Sequence, residues 1–146
     1  MIKTKIYDAE NKLNETEKSE VINFLYDHLD QYGDAKNHIK KAVDYSVQDI
    51  ESDGGFTLIA KENNEIQCAV VINRTGMGGY IPENILVYIA THKNQRGKGV
   101  GKKVMQEALN HADGDVALHV EANNPARFLY QKLGFTNPYL EMRLKK

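Results

Sequence analysis

The sequence predicts a mixed α/β fold, one sheet with helices on its faces, and three observations carry that expectation. Apolar residues change period along the chain, from helical spacing to β-branched, strand-like runs and back. The resulting order, β-α-α-β-β-β-α-β-α-β, fits one mixed sheet better than separate strand and helix domains. With 146 residues, 41% hydrophobic and 27% charged, the chain can bury a sizeable core and has the composition of a globular domain. No internal repeat, low-complexity tract or linker divides it, so a single domain over residues 1–146 is expected.

Each element has a local reason. Residues 2–7 read as a short strand. Asn14-Glu15-Thr16-Glu17 opens a helix, with Asn14 as N-cap and acidic residues in the first turn. Val21, Phe24, Leu25, His28 and Leu29 follow at helical spacing, and Gly33 closes that helix. A second helix is expected over residues 34–50. Residues 56–60 and 66–73 are apolar and β-branched, joined by a hairpin at Glu62-Asn63-Asn64-Glu65. Residues 85–91 form a third strong strand. A helix over 98–112 places Val100, Val104, Met105 and Leu109 on one face. A strand at 116–120 precedes a short helix over 125–133, which Gly134 ends at the C′ position. A last strand is expected at 139–144.

Composition excludes several classes. Nineteen basic against 20 acidic residues give a formal net charge of −1, which argues against bulk electrostatic binding to nucleic acid or anionic membrane. No run of about 18 apolar residues and no apolar leader follows the N-terminus, so no membrane association is expected. The one cysteine, Cys68, cannot form an internal disulfide, and a cytoplasmic protein is the natural expectation. It sits in a strand-like apolar run and reads as a packed thiol rather than a nucleophile. The five histidines lack an H-x-x-x-H spacing and there is no cysteine pair, so no metal is expected.

The chemistry is carried by Arg96-Gly97-Lys98-Gly99-Val100-Gly101-Lys102, a glycine-rich turn between a strand and a helix. Bare backbone N–H groups at a helix N-terminus suit a phosphate or pyrophosphate. The register excludes two common phosphate loops. A P-loop ending at Gly101-Lys102 would need Gly at position 96 and Ser or Thr at 103, where Arg96 and Lys103 stand. A dinucleotide turn, G-x-G-x-x-G, has its third glycine out of step.

Arg96-x-x-Gly99-x-Gly101 after a strand resembles the acetyl-CoA signature of the GNAT acetyltransferase superfamily. A second signature follows: Asn123, then Ala126 three residues on, Tyr130 seven on, and Gly134-Phe135. The close resemblance covers residues 84–135, and the two motifs together are far more specific than either alone. It implies a GNAT-like acyl-CoA N-acyltransferase fold, α/β (α+β), with a largely antiparallel mixed sheet whose fourth and fifth strands splay apart. It implies acetyl-CoA as co-substrate, with no metal.

The resemblance assigns roles residue by residue. Backbone N–H groups of Gly97, Gly99, Val100 and Gly101 would meet the pyrophosphate. Arg96, Lys98 and Lys102 would add charge-assisted contacts, although each lysine serves equally well as a solvated surface residue. Main-chain groups of Ile89 and Thr91 would bond the pantetheine arm as an added strand does, with the Ala90 N–H on the acetyl carbonyl and Asn123 on the far side. Asn124 suits the helix cap, which frees Asn123. Tyr130 matches the thiol proton donor, and a phenol is protonated at neutral pH. Glu83, thirteen residues before Arg96, matches a glutamate base of some relatives. Alternation puts it on the face of Ile85 and Val87, where apolar neighbours would raise its pKa. An ordered-water relay, His92 or His119 are the other routes.

The acceptor wall would come from the first two helices, where Tyr26, Asp27, His28, Asp30, Tyr32 and Asp34 offer an acidic, aromatic rim suited to a cationic amine. The expected function is therefore an acyltransferase, an N-acetyltransferase moving acetyl from acetyl-CoA to a small-molecule or protein primary amine in a ternary complex. The alternative is a non-catalytic acyl-CoA-binding or sensor module. A homodimer is left open.

Overall fold

The structure is a computed structural model that describes residues 1–146. Five strands form one sheet in the order β1-β2-β3-β4-β5: β1 Lys3–Tyr7, β2 Gly55–Glu62, β3 Glu65–Arg74, β4 Asn84–Thr91 and β5 Val116–Leu118. The first three pairings are antiparallel and β4–β5 is parallel. Four helices flank it: α1 Glu15–His28, α2 Lys36–Ser46, α3 Val100–His111 and α4 Ala126–Lys132. Helix α3 is the crossover that makes β5 parallel to β4.

The middle strand explains the layering. Cys68, Ala69, Val70, Val71 and Ile72 of β3 are all fully buried, the continuous apolar run of a strand covered on both faces. On one face Val21 and Leu25 of α1 and Ile39 and Val43 of α2 pack on Ala69, Val71, Tyr88 and Ala90. On the other, Val104, Met105 and Ala108 of α3 pack on Leu58, Val70 and Ile72.

Local chemistry sets the boundaries. The Asn14 side chain accepts from the Glu17 N–H at 2.8 Å and the Glu17 carboxylate accepts from the Asn14 N–H at 2.9 Å, a reciprocal cap on α1. The β2–β3 hairpin turns on Asn63 and Asn64, both at positive φ (52° and 66°), the conformation a tight two-residue hairpin requires. Beneath α1 and α2 lies a charge network. Lys18, with only 6% of its side chain exposed, pairs with Asp44 at 2.8 Å and Asp49 at 2.5 Å. Lys40 also reaches Asp44, at 2.6 Å, and Lys12 reaches Asp49, at 3.1 Å.

Two irregularities of β4 position the site. Its register against β3 shifts by one: Val71 faces Tyr88 but Ile72 faces Leu86, leaving Val87 without a partner. Its pairing with β5 then lasts only from Asn84 to Leu86, opposite Val116 to Leu118. Beyond that point the two strands part, as the splayed fourth and fifth strands anticipate.

Several boundaries differ from expectation. Helix α1 ends at His28. Gly33 closes instead a 3-10 turn at Asp30–Tyr32, entered through Asp30 at φ 54°. Helix α2 is shorter than expected, because Gln48 takes a positive φ of 57° just after its end. The strand expected at 139–144 is not formed. Its alternation is apolar, but no ladder partner meets it, and Tyr139, Leu140, Met142 and Leu144 are each more than four-fifths exposed. No helix is long and apolar enough to cross a membrane.

Candidate active site

The fork between β4 and β5 leaves one edge of β4 open. His92, just past β4, donates its N–H to the Gln67 carbonyl at 2.8 Å. Alternation along an antiparallel ladder then turns the N–H and C=O of Ala90 toward Ala69, and those of Ile89 and Thr91 toward the open edge. The Thr91 Oγ1 contact with Cys68 Sγ, at 3.7 Å across the sheet face, fits that parity. The main-chain groups of Ile89 and Thr91 thus face the open edge. Those of Ala90 do not: its N–H belongs to the β3 ladder, which corrects its assignment to an acetyl carbonyl.

The glycine turn lies at the mouth of this fork. A 3-10 turn, Lys93–Gln95, carries the chain from β4 into it. Gly97 and Gly99 adopt φ of 79° and 81°, where a side chain is strained. Gly101 has a different reason: a Cβ there would stand 2.9 Å from Thr91 Oγ1, so either the Thr91 side chain or α3 would have to shift. Helix α3 starts with no side-chain cap. The N–H groups of Gly97, Gly99, Val100, Gly101 and Lys102 have no acceptor within the protein, so the helix presents donors and the positive end of its dipole together. Lys98 and Lys102 are exposed and make no ion pair.

Arg96 is engaged elsewhere. Its guanidinium donates to the His28 carbonyl at 2.6 Å and to Asp30 Oδ2 at 3.3 Å, while Lys93 meets Asp30 Oδ1 at 3.1 Å. These cations hold the Asp30 carboxyl below the usual range, Lys93 contributing most. Arg96 therefore ties the glycine turn to the end of α1. The sequence reading missed this clamp because its partners lie far apart in the chain.

A cavity of about 710 Å³ runs from Arg96 and Gly97 along β4 to Tyr130 on α4. Tyr130 is 8% exposed and packs edge-on against Phe135, and its hydroxyl makes no hydrogen bond within the protein. Burial pushes its phenol up to about 12, so it stays protonated at neutral pH. Asn124 accepts from the Ala126 N–H at 2.9 Å and so takes the capping task. Asn123 lies beside the cavity lining rather than in it, its carbonyl accepting from the Tyr32 hydroxyl at 3.4 Å. Of the expected rim, His28, Asp30, Tyr32 and Asp34 reach the cavity. Tyr26 and Asp27 do not, and Tyr26 instead lies under Lys36.

Glu83 is placed differently from expectation. Its Oε1 accepts from the Asp115 N–H at 2.7 Å, in the turn before β5, and it does not reach the cavity. That backbone bond holds its carboxyl below the usual range, the opposite of the predicted rise. A Glu83→Gln variant is expected to keep kcat/KM within about threefold of wild type, whereas a general base would cost about 100-fold or more. Steady-state thiol release decides between them, and the larger loss would restore Glu83 as base.

The other histidines separate by their partners. His28 and His92 stack at 4.4 Å beside Phe24. His28 Nδ1 accepts from the Lys93 N–H at 3.3 Å, which leaves the proton on Nε2. Burial and then His92 push its pKa down, so His28 presents a neutral N–H rather than a base. His119 lines the cavity one residue past the β4–β5 pairing and has no hydrogen-bond partner.

A mixed sheet forked at its parallel pair, with an uncapped helix N-terminus at the fork, defines the architecture of the acyl-CoA N-acyltransferases. The chain belongs to the GNAT acetyltransferase family: the family described as Acetyltransferase (GNAT) domain matches residues 53–137. No curated protein matches the sequence. Among solved structures, the fold is similar to a GNAT-family acetyltransferase from Streptococcus pneumoniae, at 14% identity and TM-score 0.69, covering 100% of this chain and 98% of that one. It is similar to a ribosomal-protein-alanine N-acetyltransferase from Brucella melitensis biovar Abortus, at 12% identity and TM-score 0.67, covering 100% and 99%. It is also similar to a chain of the NatC complex bound to Gag peptide and CoA, at 20% identity and TM-score 0.69, covering 92% and 84%. Acyl transfer is thus the activity class. These identities carry the fold and leave the acceptor to the site's chemistry.

Proposed function

We propose that this chain is a cytoplasmic N-acetyltransferase, one domain over residues 1–146, that transfers acetyl from acetyl-CoA directly to a primary amine. One observation carries the reading: five N–H groups without a protein acceptor are gathered in one turn, and Gly97 of that turn lines a cavity that follows the free edge of β4 to an unpartnered phenol. The pyrophosphate would meet the N–H groups of Gly97, Gly99, Val100, Gly101 and Lys102, with Lys98 and Lys102 adding charge. The pantetheine amides would pair with Ile89 and Thr91 as an added strand, with Asn123 opposite. The outward N–H of Ile89, rather than that of Ala90, would donate to the acetyl carbonyl as it becomes an oxyanion.

The reaction then needs three proton movements. The ammonium loses a proton to His119, whose free imidazole stands at the fork. The amine nitrogen attacks the thioester carbon, the C–S bond breaks, and Tyr130 donates its proton to the leaving thiolate. The phenolate recovers a proton from the new amide nitrogen through solvent. Cys68 takes no part: burial pushes its thiol up to about 11, inside the sheet.

The test is thiol release from acetyl-CoA against a panel of amines, with mass spectrometry of the enzyme before amine is added. Amine-dependent release with no acetylated enzyme is expected. Covalently acetylated enzyme in the absence of amine would overturn direct transfer. Acetyl-CoA binding with no turnover on any amine would favour the non-catalytic acyl-CoA-binding module.

A further inference from the structure

The cavity's charged groups carry information about the acceptor that the donor site does not. Two carboxylates line it, Asp30 and Asp34. Asp30 is neutralised, one oxygen facing Lys93 and the other Arg96. Asp34 makes no ion pair. Its Oδ2 accepts from the Tyr88 hydroxyl at 2.5 Å and its Oδ1 has no partner. Tyr88 is a buried residue of the central sheet, so a rigid element holds an otherwise exposed carboxylate in place at the cavity wall. Among lysines and arginines only Arg96 lines the cavity, and its guanidinium is taken by Asp30 and the His28 carbonyl. The wall thus offers one unneutralised negative charge and no free lysine or arginine.

Resting on the transferase reading above, we infer that Asp34 is the anchor for the acceptor's ammonium group, and that the acceptor is a primary amine with no carboxylate next to it. The free Oδ1 accepts a charge-assisted hydrogen bond from the ammonium while Tyr88 fixes the carboxylate's orientation. A zwitterionic α-amino acid would bring its own carboxylate into the same wall, where no lysine or arginine is free to pair with it and Asp34 repels it. An alkylamine, a diamine, a lysine side chain or a peptide N-terminus meets no such penalty. Tyr88 is a positioning residue in this scheme, because it acts through Asp34. The sequence could not show the pair, since its members lie 54 residues apart.

The experiment titrates CoA-saturated protein with n-butylamine, 1,5-diaminopentane and L-alanine by NMR, and measures KM for each by thiol release. Wild type is expected to bind both amines and to bind L-alanine at least about 10-fold more weakly. Asp34→Asn should raise Kd and KM for n-butylamine by about 10- to 100-fold, the loss of one charge-assisted hydrogen bond. Its affinity for acetyl-CoA and its thermal midpoint should be unchanged, which shows that the variant is folded. Tyr88→Phe keeps the charge and should weaken amine binding by only about threefold. An unchanged n-butylamine Kd in Asp34→Asn, L-alanine bound as tightly as n-butylamine, or a loss in Tyr88→Phe equal to that in Asp34→Asn would each overturn the anchor. Asp34-dependent amine binding without thiol release would support the anchor while refuting acetyl transfer, so the two readings fail separately.

Discussion

Replacing Tyr130 with phenylalanine is expected to lower kcat by about 100- to 1,000-fold, the range of a lost general acid, while acetyl-CoA affinity and thermal stability stay close to wild type. The separation follows from geometry. The ring is buried against Phe135 and contributes packing that phenylalanine preserves. The hydroxyl bonds to nothing in the protein, so removing it orphans no partner. Its one available task is toward whatever occupies the cavity. Burial pushes the phenol up to about 12, so loss of its proton cannot produce a fall in rate until pH approaches that value. A fall in wild-type kcat well below it belongs to another group. Single-turnover thiol release in wild type and Tyr130→Phe across pH measures both points. An undiminished rate in the variant would leave Tyr130 as a packing aromatic and remove the proton donor from the mechanism.

What the sequence made legible follows from range. The glycine turn is a local structure, and positions 97, 99 and 101 are read directly from it, two because φ is positive and one because α3 approaches Thr91. The Asn14 cap, the Asn63-Asn64 hairpin and the two-faced burial of β3 are local in the same sense. The errors share a different origin. The environment of Glu83 was misjudged because a backbone N–H 32 residues away claims its carboxylate. Ala90 was given an outward N–H because strand parity depends on which β3 residue stands opposite, and spacing does not reveal that. The tie from Arg96 to the end of α1 went unread because those partners are invisible from its own neighbourhood. The expected strand at 139–144 shows the same limit: alternation specifies a face, but a strand exists only where a ladder partner lies.

The second large effect lies away from the chemistry. Lys18→Ala is expected to destabilise the fold by about 3–5 kcal/mol, because it removes the central cation of a buried network and leaves the buried Asp44 Oδ1 without its cation. Asp44 has only 7% of its side chain exposed, and the remaining cation on it, Lys40, approaches from solvent. The pH dependence has a definite sign. The hydrogen bonds to Asp44 and Asp49 raise the Lys18 pKa against burial, which lowers it, so its contribution is full below the ordinary lysine pKa and lost only as pH rises through the raised value. Lys18 holds the Asp49 carboxyl below its usual range, so that contribution is full above the ordinary aspartate pKa and lost as pH falls through the lowered value. Between about pH 4 and pH 10 the gap between wild type and Lys18→Ala should therefore be flat, and below that window it should shrink. Urea unfolding at pH 7 and pH 2.5 measures it. Lys18→Met with Asp44→Leu replaces the pair by apolar groups and should recover stability to within about 1–2 kcal/mol of wild type, since such a pair is costly to break and cheap to replace. A cost below about 1 kcal/mol for Lys18→Ala would place the network among surface ion pairs. The same network holds α2 against α1, and Asp34 sits just before α2 begins, two residues ahead of Lys36. Loosening that joint in Lys18→Ala should therefore raise KM for the amine while leaving acetyl-CoA affinity, which the proposed site assigns to β4 and the head of α3, unaffected.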